Sequence, residues 1–260
     1  MQLNPAAATA GYRLSVHDTL ASTNSEALAL ARGGERGPLW IAAIRQTAGR
    51  GRRGSAWVSD PGNLYVTLLM VDPAPGERGP ELSFVTALAV HDAIAECAPG
   101  LRAKLALKWP NDLLCGGAKV AGILIEGEGI GGALAVAIGI GVNCGHHPAD
   151  TAYPATDLAA AGADLSAEAL FWALSAAMPR RLAQWRHGAG FAAIRADWIA
   201  RAAGIGGDMR VRLPGRELEG RGEAIDEHGR LLLRLPDGSL HAIAAGDVFP
   251  LAVTARGRVS

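Results

Sequence analysis

Leu39-Trp40-Ile41-Ala42-Ala43-Ile44 runs directly into Arg45-Gln46-Thr47-Ala48-Gly49-Arg50-Gly51-Arg52-Arg53-Gly54, and then, past Ser55-Ala56-Trp57, into Asn63-Leu64-Tyr65-Val66-Thr67-Leu68-Leu69-Met70. The outer segments are short apolar runs with β-branched and aromatic residues, which read as strands. Between them stand four arginines within nine residues, interleaved with glycine and with no acid among them. Glycine lets backbone N–H groups approach a ligand closely, and a guanidinium fork binds carboxylate or phosphate oxygens two at a time. A loop of this kind, anchored to core strands, is placed to hold an anionic small molecule. The same composition also describes a solvated flexible loop or a non-specific nucleic-acid contact.

Working outward, the whole chain carries 25 Lys and Arg against 25 Asp and Glu, so the arginine cluster is local chemistry. A chain that bound nucleic acid over its surface would show a basic face. At 260 residues and 49% hydrophobic, the sequence can bury one large core and a small one without disulfides. Cys97, Cys115 and Cys144 are odd in number and widely spaced, which fits a reducing cytoplasm better than a disulfide framework. The opening residues from Met1 to Gly11 lack a basic n-region and an apolar h-region, and read as a frayed lead-in. The longest apolar stretch, Ile130 to Val142, is too short for a bilayer and is broken by glycine.

The pattern predicts a strand at 12–16, a helix from Ser22-Thr23-Asn24-Ser25-Glu26 to about Arg32, and a strand at 39–44 that feeds the arginine loop. A strand ending near Met70 follows, then a Pro/Gly linker at 72–80, a helix at 81–97, and strands at 105–109, 119–126 and 133–142. Leucines at fourfold spacing give a helix from Leu165 to about Arg186 with a kink or break at Pro179, and a second helix to about Arg201. From Met209 on, five short strands alternate with Pro-Gly, Glu-His-Gly and Pro-Asp-Gly turns. The expected class is α+β, with a mixed sheet packed on helices over residues 1–205 and a small β-barrel over 206–260. The barrel reads as a lid or docking module, or as a structural cap.

Three further constellations carry chemistry. Lys108-Trp109-Pro110-Asn111-Asp112 sets a lysine and an acid about a tight turn, either at a cleft or on a solvated hairpin. Lys119 opens the apolar run Val120-Ala121-Gly122-Ile123-Leu124-Ile125-Glu126, where it either snorkels at the rim or faces an anion. Gly139-Ile140-Gly141-Val142-Asn143 is an apolar strand punctuated by glycine, which marks close approach of a ligand or another backbone; its spacing is not a dinucleotide fingerprint. Cys144-Gly145-His146-His147 reads as a plain loop, since no second ligand pair stands at zinc spacing.

Taken in order, Ser22-Thr23-Asn24, Gln46 to Gly54 with Trp57, Lys108 to Asp112, Lys119 to Leu124 and Gly139 to Asn143 resemble the biotin protein ligase family, from about residue 12 to the end. The resemblance implies a class II aminoacyl-tRNA-synthetase-like central sheet followed by a barrel of the Src-homology type. It implies ATP and biotin as substrates with Mg²⁺, formation of biotinyl-5′-adenylate, and transfer to a lysine of a biotin carboxyl carrier protein of acetyl-CoA carboxylase or another biotin-dependent carboxylase. It gives Lys119 and Arg50 the catalytic roles at the carboxylate and phosphoryl region. Ser22, Thr23, Asn24, Gln46, Gly49, Arg52, Gly122, Gly139 and Gly141 fall on the biotin side, and Arg52, Arg53, Trp57, Asn111, Asp112 and Asn143 on the nucleotide side, with Trp57 stacking on adenine. Asp112 is the candidate for Mg²⁺.

About eleven residues precede the first strand, too few for the winged helix-turn-helix that some members carry, so a monofunctional ligase is expected, with no nucleic-acid or membrane partner, as a monomer or weak homodimer. The alternatives are a lipoate or octanoate ligase of the same superfamily and, from another class, a nucleic-acid-binding regulator that uses the arginine loop.

Overall fold

The computed structural model of the protein describes residues 1–149, 151 and 153–251. Two sheets organise it. The larger contains β1 (Arg13–Leu20), β2 (Leu39–Gln46), β3 (Leu64–Val71), β4 (Leu105–Lys108), β5 (Asp112–Cys115), β6 (Ala118–Ile130) and β7 (Ala133–Val142), in the order β1-β2-β3-β7-β6-β5-β4. Only β1 and β2 run parallel. β3 reads Leu-Tyr-Val-Thr-Leu-Leu-Met-Val and is buried on both faces through Leu69, as a central strand must be.

Side chains alternate across a strand, so the register decides what each face presents. On one face Trp40, Val66, Leu68, Ile138, Ile140 and Val142 meet α3 (Glu81–Cys97) and α4 (Ala167–Trp185), with α5 (Phe191–Ile199) alongside. On the other face Leu39, Ile41, Leu69, Ala135 and Ala137 are covered by Ala27 and Ala31 of α2 (Thr23–Arg32). Helix α2 is ten residues long and covers only part of this face. Beyond it the register continues the same face as the rows Thr67-Gly139-Leu124 and Tyr65-Gly141-Gly122-Asp112-Lys108. Three glycines in adjoining positions leave a floor with no side chains, and the site lies there.

Several expectations change. The first residues form a short helix, α1 (Pro5–Thr9), capped by Asn4 and tied down by fully buried Ala7 and a bond from Asn4 N–H to Ser175 Oγ of 3.0 Å. Helix α4 runs unbroken through Pro179, because Leu170, Leu174, Ala177 and Met178 hold its buried face across that point. The turn expected about Pro110-Asn111 is present at 109–111, with Lys108 ending β4 and Asp112 opening β5, a four-residue strand, paired on both sides, that the sequence pattern does not mark. Ser22 precedes α2 in extended conformation without the expected side-chain cap.

The smaller sheet, β8 (Asp208–Leu213), β9 (Arg216–Ile225), β10 (Leu231–Arg234), β11 (Leu240–Ile243) and β12 (Asp247–Pro250), is antiparallel in the order β11-β10-β9-β8-β12. This is the small β-rich unit the sequence predicts as a barrel; among the described residues β11 and β12 do not pair, so it is described as a five-stranded antiparallel sheet with no closing pair. Val211, Leu231, Leu233 and Val248 are continuous with the main core, and Trp109 Nε1 donates to Gly229 O at 3.0 Å. Residues 252–260 of the expected second domain lie outside the described residues.

Candidate active site

A cavity of about 710 Å³ opens on the glycine floor. It gathers Ser22, Thr23, Asn24, Gln46, Arg50, Arg52, Arg53, Trp57, Asn111, Asp112, Lys119, Gly122, Gly139, Gly141 and Asn143 from five separate sequence segments. Gly49 lies behind the lining: a Cβ there would stand 2.5 Å from Ser59 Oγ and 2.6 Å from Trp57 O, so only glycine lets the two arms of the arginine loop close on each other.

One end of the cavity is polar and uncharged. Gln46 Oε1 accepts from Thr23 N–H at 2.8 Å and from Thr23 Oγ1 at 3.2 Å, while its Nε2 donates to Ser59 Oγ. Thr67 Oγ1, fully buried, lies 2.8 Å from Thr23 Oγ1 and donates to Asn24 Oδ1 at 2.6 Å. Asn24 in turn lies against Gly139, where a Cβ would come within 2.3 Å of its Oδ1. These side chains orient one another, and the Ser22 hydroxyl beside them is left without a cap bond to make.

The other end is cationic. Asp112 stands across from Lys108 in the β4–β5 pair and across from Gly122 in the β5–β6 pair. A register shift between Leu113 and Leu114 re-aims Lys119 over Gly122. As a result Asp112 is held between two ammonium groups, Lys108 Nζ at 2.9 Å from Oδ2 and Lys119 Nζ at 2.7 Å from Oδ1. The Lys119 contact is close in distance but lacks the angle of a directed hydrogen bond to Oδ1. Burial would raise the Asp112 carboxyl, but the Lys119 and Lys108 charges together hold it below the usual carboxylate range. Lys108, buried, also donates to Val248 O at 3.3 Å and lies over the Tyr153 ring.

The arginine loop closes as a narrow turn: Gly51 N–H donates to Ser55 O, Trp57 N–H to Gly49 O, and Arg50 bridges Ala56. Its tip reaches the small sheet, where Arg52 Nη1 donates to Gly246 O at 3.2 Å and lies 3.5 Å from Asn111 Oδ1, while Arg53 pairs with Asp247 at 3.1 Å. Burial lowers the pKa of the Arg52 guanidinium from its ordinary value, opposed by the charge of Asp247. Phe249 and Arg212, also from the small sheet, line the mouth opposite Tyr153.

Four of the expected site residues are held by neighbours within the protein. The guanidinium of Arg50 is engaged by Glu126 and Ser25, so the loop arginine that faces Asn111 is Arg52. The Trp57 indole lies flat on the glycine floor: a Cβ at Gly141 would stand 2.6 Å from its Cε2, and one at Gly122 2.9 Å from its Cζ3. Lys119 Nζ sits 5.2 Å from the centre of the same ring. Asp112 has both oxygens on lysines and does not fit a metal ligand, and among the described residues no three His, Cys, Asp or Glu side chains gather as a metal site. Asn143 uses its amide N–H on Thr156 O, which fixes the end of β7. His147 is paired with Asp157 at 2.6 Å and His146 with Asn63, which accounts for the Cys144 to His147 segment as a structural loop.

Residues 20–143 match the profile of the biotin/lipoate A/B protein ligase family, and residues 205–249 that of the biotin protein ligase C-terminal domain. The chain is 43% identical over 236 residues to a biotin–[acetyl-CoA-carboxylase] ligase of Paracoccus denitrificans, covering 88% of this chain and 96% of that one. It belongs to the biotin protein ligase family. A Mycobacterium tuberculosis biotin–[acetyl-CoA-carboxylase] ligase is 36% identical over 94% of this chain and 91% of its own. The Aquifex aeolicus biotin protein ligase solved with biotin and ATP superposes with a TM-score of 0.74 at 25% identity, over 91% of this chain and 97% of that one.

Lys108, Tyr153, Arg212, Asp247 and Phe249 are site-lining residues of this biotin protein ligase fold that the sequence reading did not assign to the site. Only Lys108 had a local signal, its place in the Lys-Trp-Pro-Asn-Asp run.

Proposed function

We propose that the protein is an ATP-dependent biotin ligase. The biotin carboxylate attacks the α-phosphorus of ATP, pyrophosphate leaves, and the resulting biotinyl-5′-adenylate gives its acyl group to the ε-amine of an acceptor lysine with release of AMP. One observation carries this reading: a single cavity runs from a neutral polar end at Ser22, Thr23, Asn24 and Gln46, over a glycine floor, to a cationic end at Lys119, Lys108 and Arg52. That order is the order of biotin itself, from ureido ring through aliphatic chain to carboxylate, with the phosphates beyond.

In this reading the neutral end supplies donors and acceptors for the ureido group in a mostly dry pocket. Lys119 leaves Asp112 to meet the reacting carboxylate and phosphoryl oxygens, where a fixed cation stabilises the negative charge that accumulates in the transition state. Asp112 remains paired with Lys108 while Lys119 does so. Arg52 and Arg53 form the loop's side of the phosphate subsite. Mg²⁺ enters with the ATP phosphates as part of the substrate. The acceptor is a biotin carboxyl carrier protein of acetyl-CoA carboxylase or a related carboxylase domain, and the protein works in the cytoplasm as a monomer or weak homodimer without a nucleic-acid partner. The large unit spans residues 1–205 and the small one 206–260. No described helix is long and apolar enough to cross a membrane.

The test is incubation with biotin, ATP, Mg²⁺ and a biotin-acceptor domain, with the acceptor mass read before and after. A mass increase of one biotinyl group is expected. Acyl transfer from lipoate or octanoate, and none from biotin, would favour the other branch of the superfamily.

A further inference from the structure

Glu126 lies outside the cavity lining, two positions beyond Leu124 on the same face of β6, yet it joins Asn24 and Arg50, which line the site. Its carboxylate takes the Arg50 guanidinium as a fork: Nη2 donates to Oε2 at 2.9 Å and to Oε1 at 3.2 Å, and Nε donates to Oε1 at 3.3 Å. Arg50 Nη1 completes the set on Ser25 Oγ at 2.8 Å. From the other side Asn24 Nδ2 donates to Glu126 Oε2 at 2.7 Å. Side chains of both ions are about one-third exposed or less, so the pair is partly shielded from water.

The backbone of Arg50 forms the stem of the loop that carries Arg52 and Arg53. All three of its guanidinium nitrogens bond to Glu126 or Ser25, which commits most of its donors to the stem and not to Asp112. Bonds run without interruption from Gln46 Oε1 to the Thr23 N–H, from the Thr23 hydroxyl through Thr67 and Asn24 to Glu126, and thence to Arg50. The neutral end of the cavity and the stem of the cationic loop therefore share one network.

Building on the ligase reading, we propose that Glu126 is a positioning residue: it fixes the stem of the arginine loop through Arg50, and the lifetime of the bound acyl-adenylate depends on that hold. Arg50 is then the loop's anchor and Arg52 its anion donor. Through Asn24 the same carboxylate links the seating of the ureido group to the position of the loop.

Glu126→Gln tests this, because the amide keeps an acceptor for Asn24 but removes the charge that holds the fork. With biotinyl-adenylate formed on the enzyme and chased, release should be about tenfold faster than from the wild type, the change expected when a coupling of about 1.4 kcal/mol is lost. Affinity for biotin alone should change far less. Glu126→Gln in an Arg50→Met background should add nothing to the loss that Arg50→Met causes by itself. A folded Glu126→Gln protein with wild-type adenylate lifetime, or losses that multiply in the double variant, would overturn the proposal. If Glu126→Gln fails to melt cooperatively, Glu126→Asp is measured the same way; it keeps the charge but not the reach of the fork, and a wild-type lifetime there overturns the proposal equally. A wild-type chain that forms no biotinyl-adenylate removes the ligase reading and this inference together, whereas normal formation with unaltered retention in the variants removes this inference alone.

Discussion

Gly141 and Trp57 are in such contact that a methyl group on the glycine would stand 2.6 Å from the indole. The indole roofs the floor of the cavity only because that floor has no side chains. Gly141→Ala should therefore push Trp57 off the floor while leaving the β3–β7 and β6–β7 pairings intact. We expect kcat/KM for biotin to fall at least about tenfold, in the range that one misplaced group in a packed pocket produces, with a thermal midpoint close to wild type. Steady-state kinetics beside a melting curve check this, and unaltered kcat/KM would show that the ligand does not depend on where Trp57 sits.

Lys119→Ala should lower pyrophosphate release by about 10²–10³-fold, the usual effect of removing one group that stabilises transition-state charge, with little change in biotin binding. Lys119→Arg should rescue poorly, since a planar fork does not fit a point-charge position between Asp112 and Trp57. Near-normal pyrophosphate release from Lys119→Ala at saturating substrates would move the catalytic charge to Lys108 or Arg52.

Asp112 links the same site to acid stability. Its folded pKa is depressed, so its contribution is present above the unfolded carboxyl value and is lost as pH falls through the folded value. Lys108→Met removes one of the two charges that oppose burial, and the folded pKa must rise. The acid limb of the stability curve should then shift to higher pH, as followed by circular dichroism during acid titration. An acid limb superimposable on the wild type would mean that Lys119 alone holds the carboxylate.

The three thiols should separate cleanly. Burial pushes the Cys144 thiol up to about 12 and raises Cys115 and, with the Glu96 charge, Cys97 as well, but Cys115 and Cys144 are buried whereas Cys97 is exposed on the last turn of α3. Alkylation of the native protein near pH 8 should modify Cys97 alone, with Cys115 and Cys144 reacting only in denaturant. Peptide mapping that found Cys144 modified in the native state would contradict its packing at the end of β7.

Legibility in the sequence followed the range of the signal. β7 and α3 are where their apolar runs place them, because a buried strand and a buried helix announce themselves within ten to twenty residues. β5 escaped notice because Asp112-Leu113-Leu114-Cys115 is too short to show a period, and its pairing is set by neighbours on both sides. The glycine-arginine loop showed that cations gather there, but not which of them already has a partner: Glu126 lies 76 positions from Arg50. Tyr153, Arg212 and Phe249 reach the mouth from other parts of the chain, and no local pattern marks them. Closure of the small sheet was read from strand spacing, which reports how many strands exist and not whether the last meets the first.

Two of the contacts between the small sheet and the cationic end are made by main chain: Gly246 O accepts from Arg52 and Val248 O accepts from Lys108. Carbonyl oxygens survive any side-chain substitution, so alanine at Val248 or Asp247 would report lost core packing or a lost ion pair while leaving both carbonyl contacts in place. Replacing the peptide link by an ester, which weakens the carbonyl as an acceptor without altering a side chain, is the perturbation that would reach them. The two backbone contacts thus constrain where the strand lies, a requirement separate from the one that Val248 in the core and Asp247 on Arg53 place on its side chains.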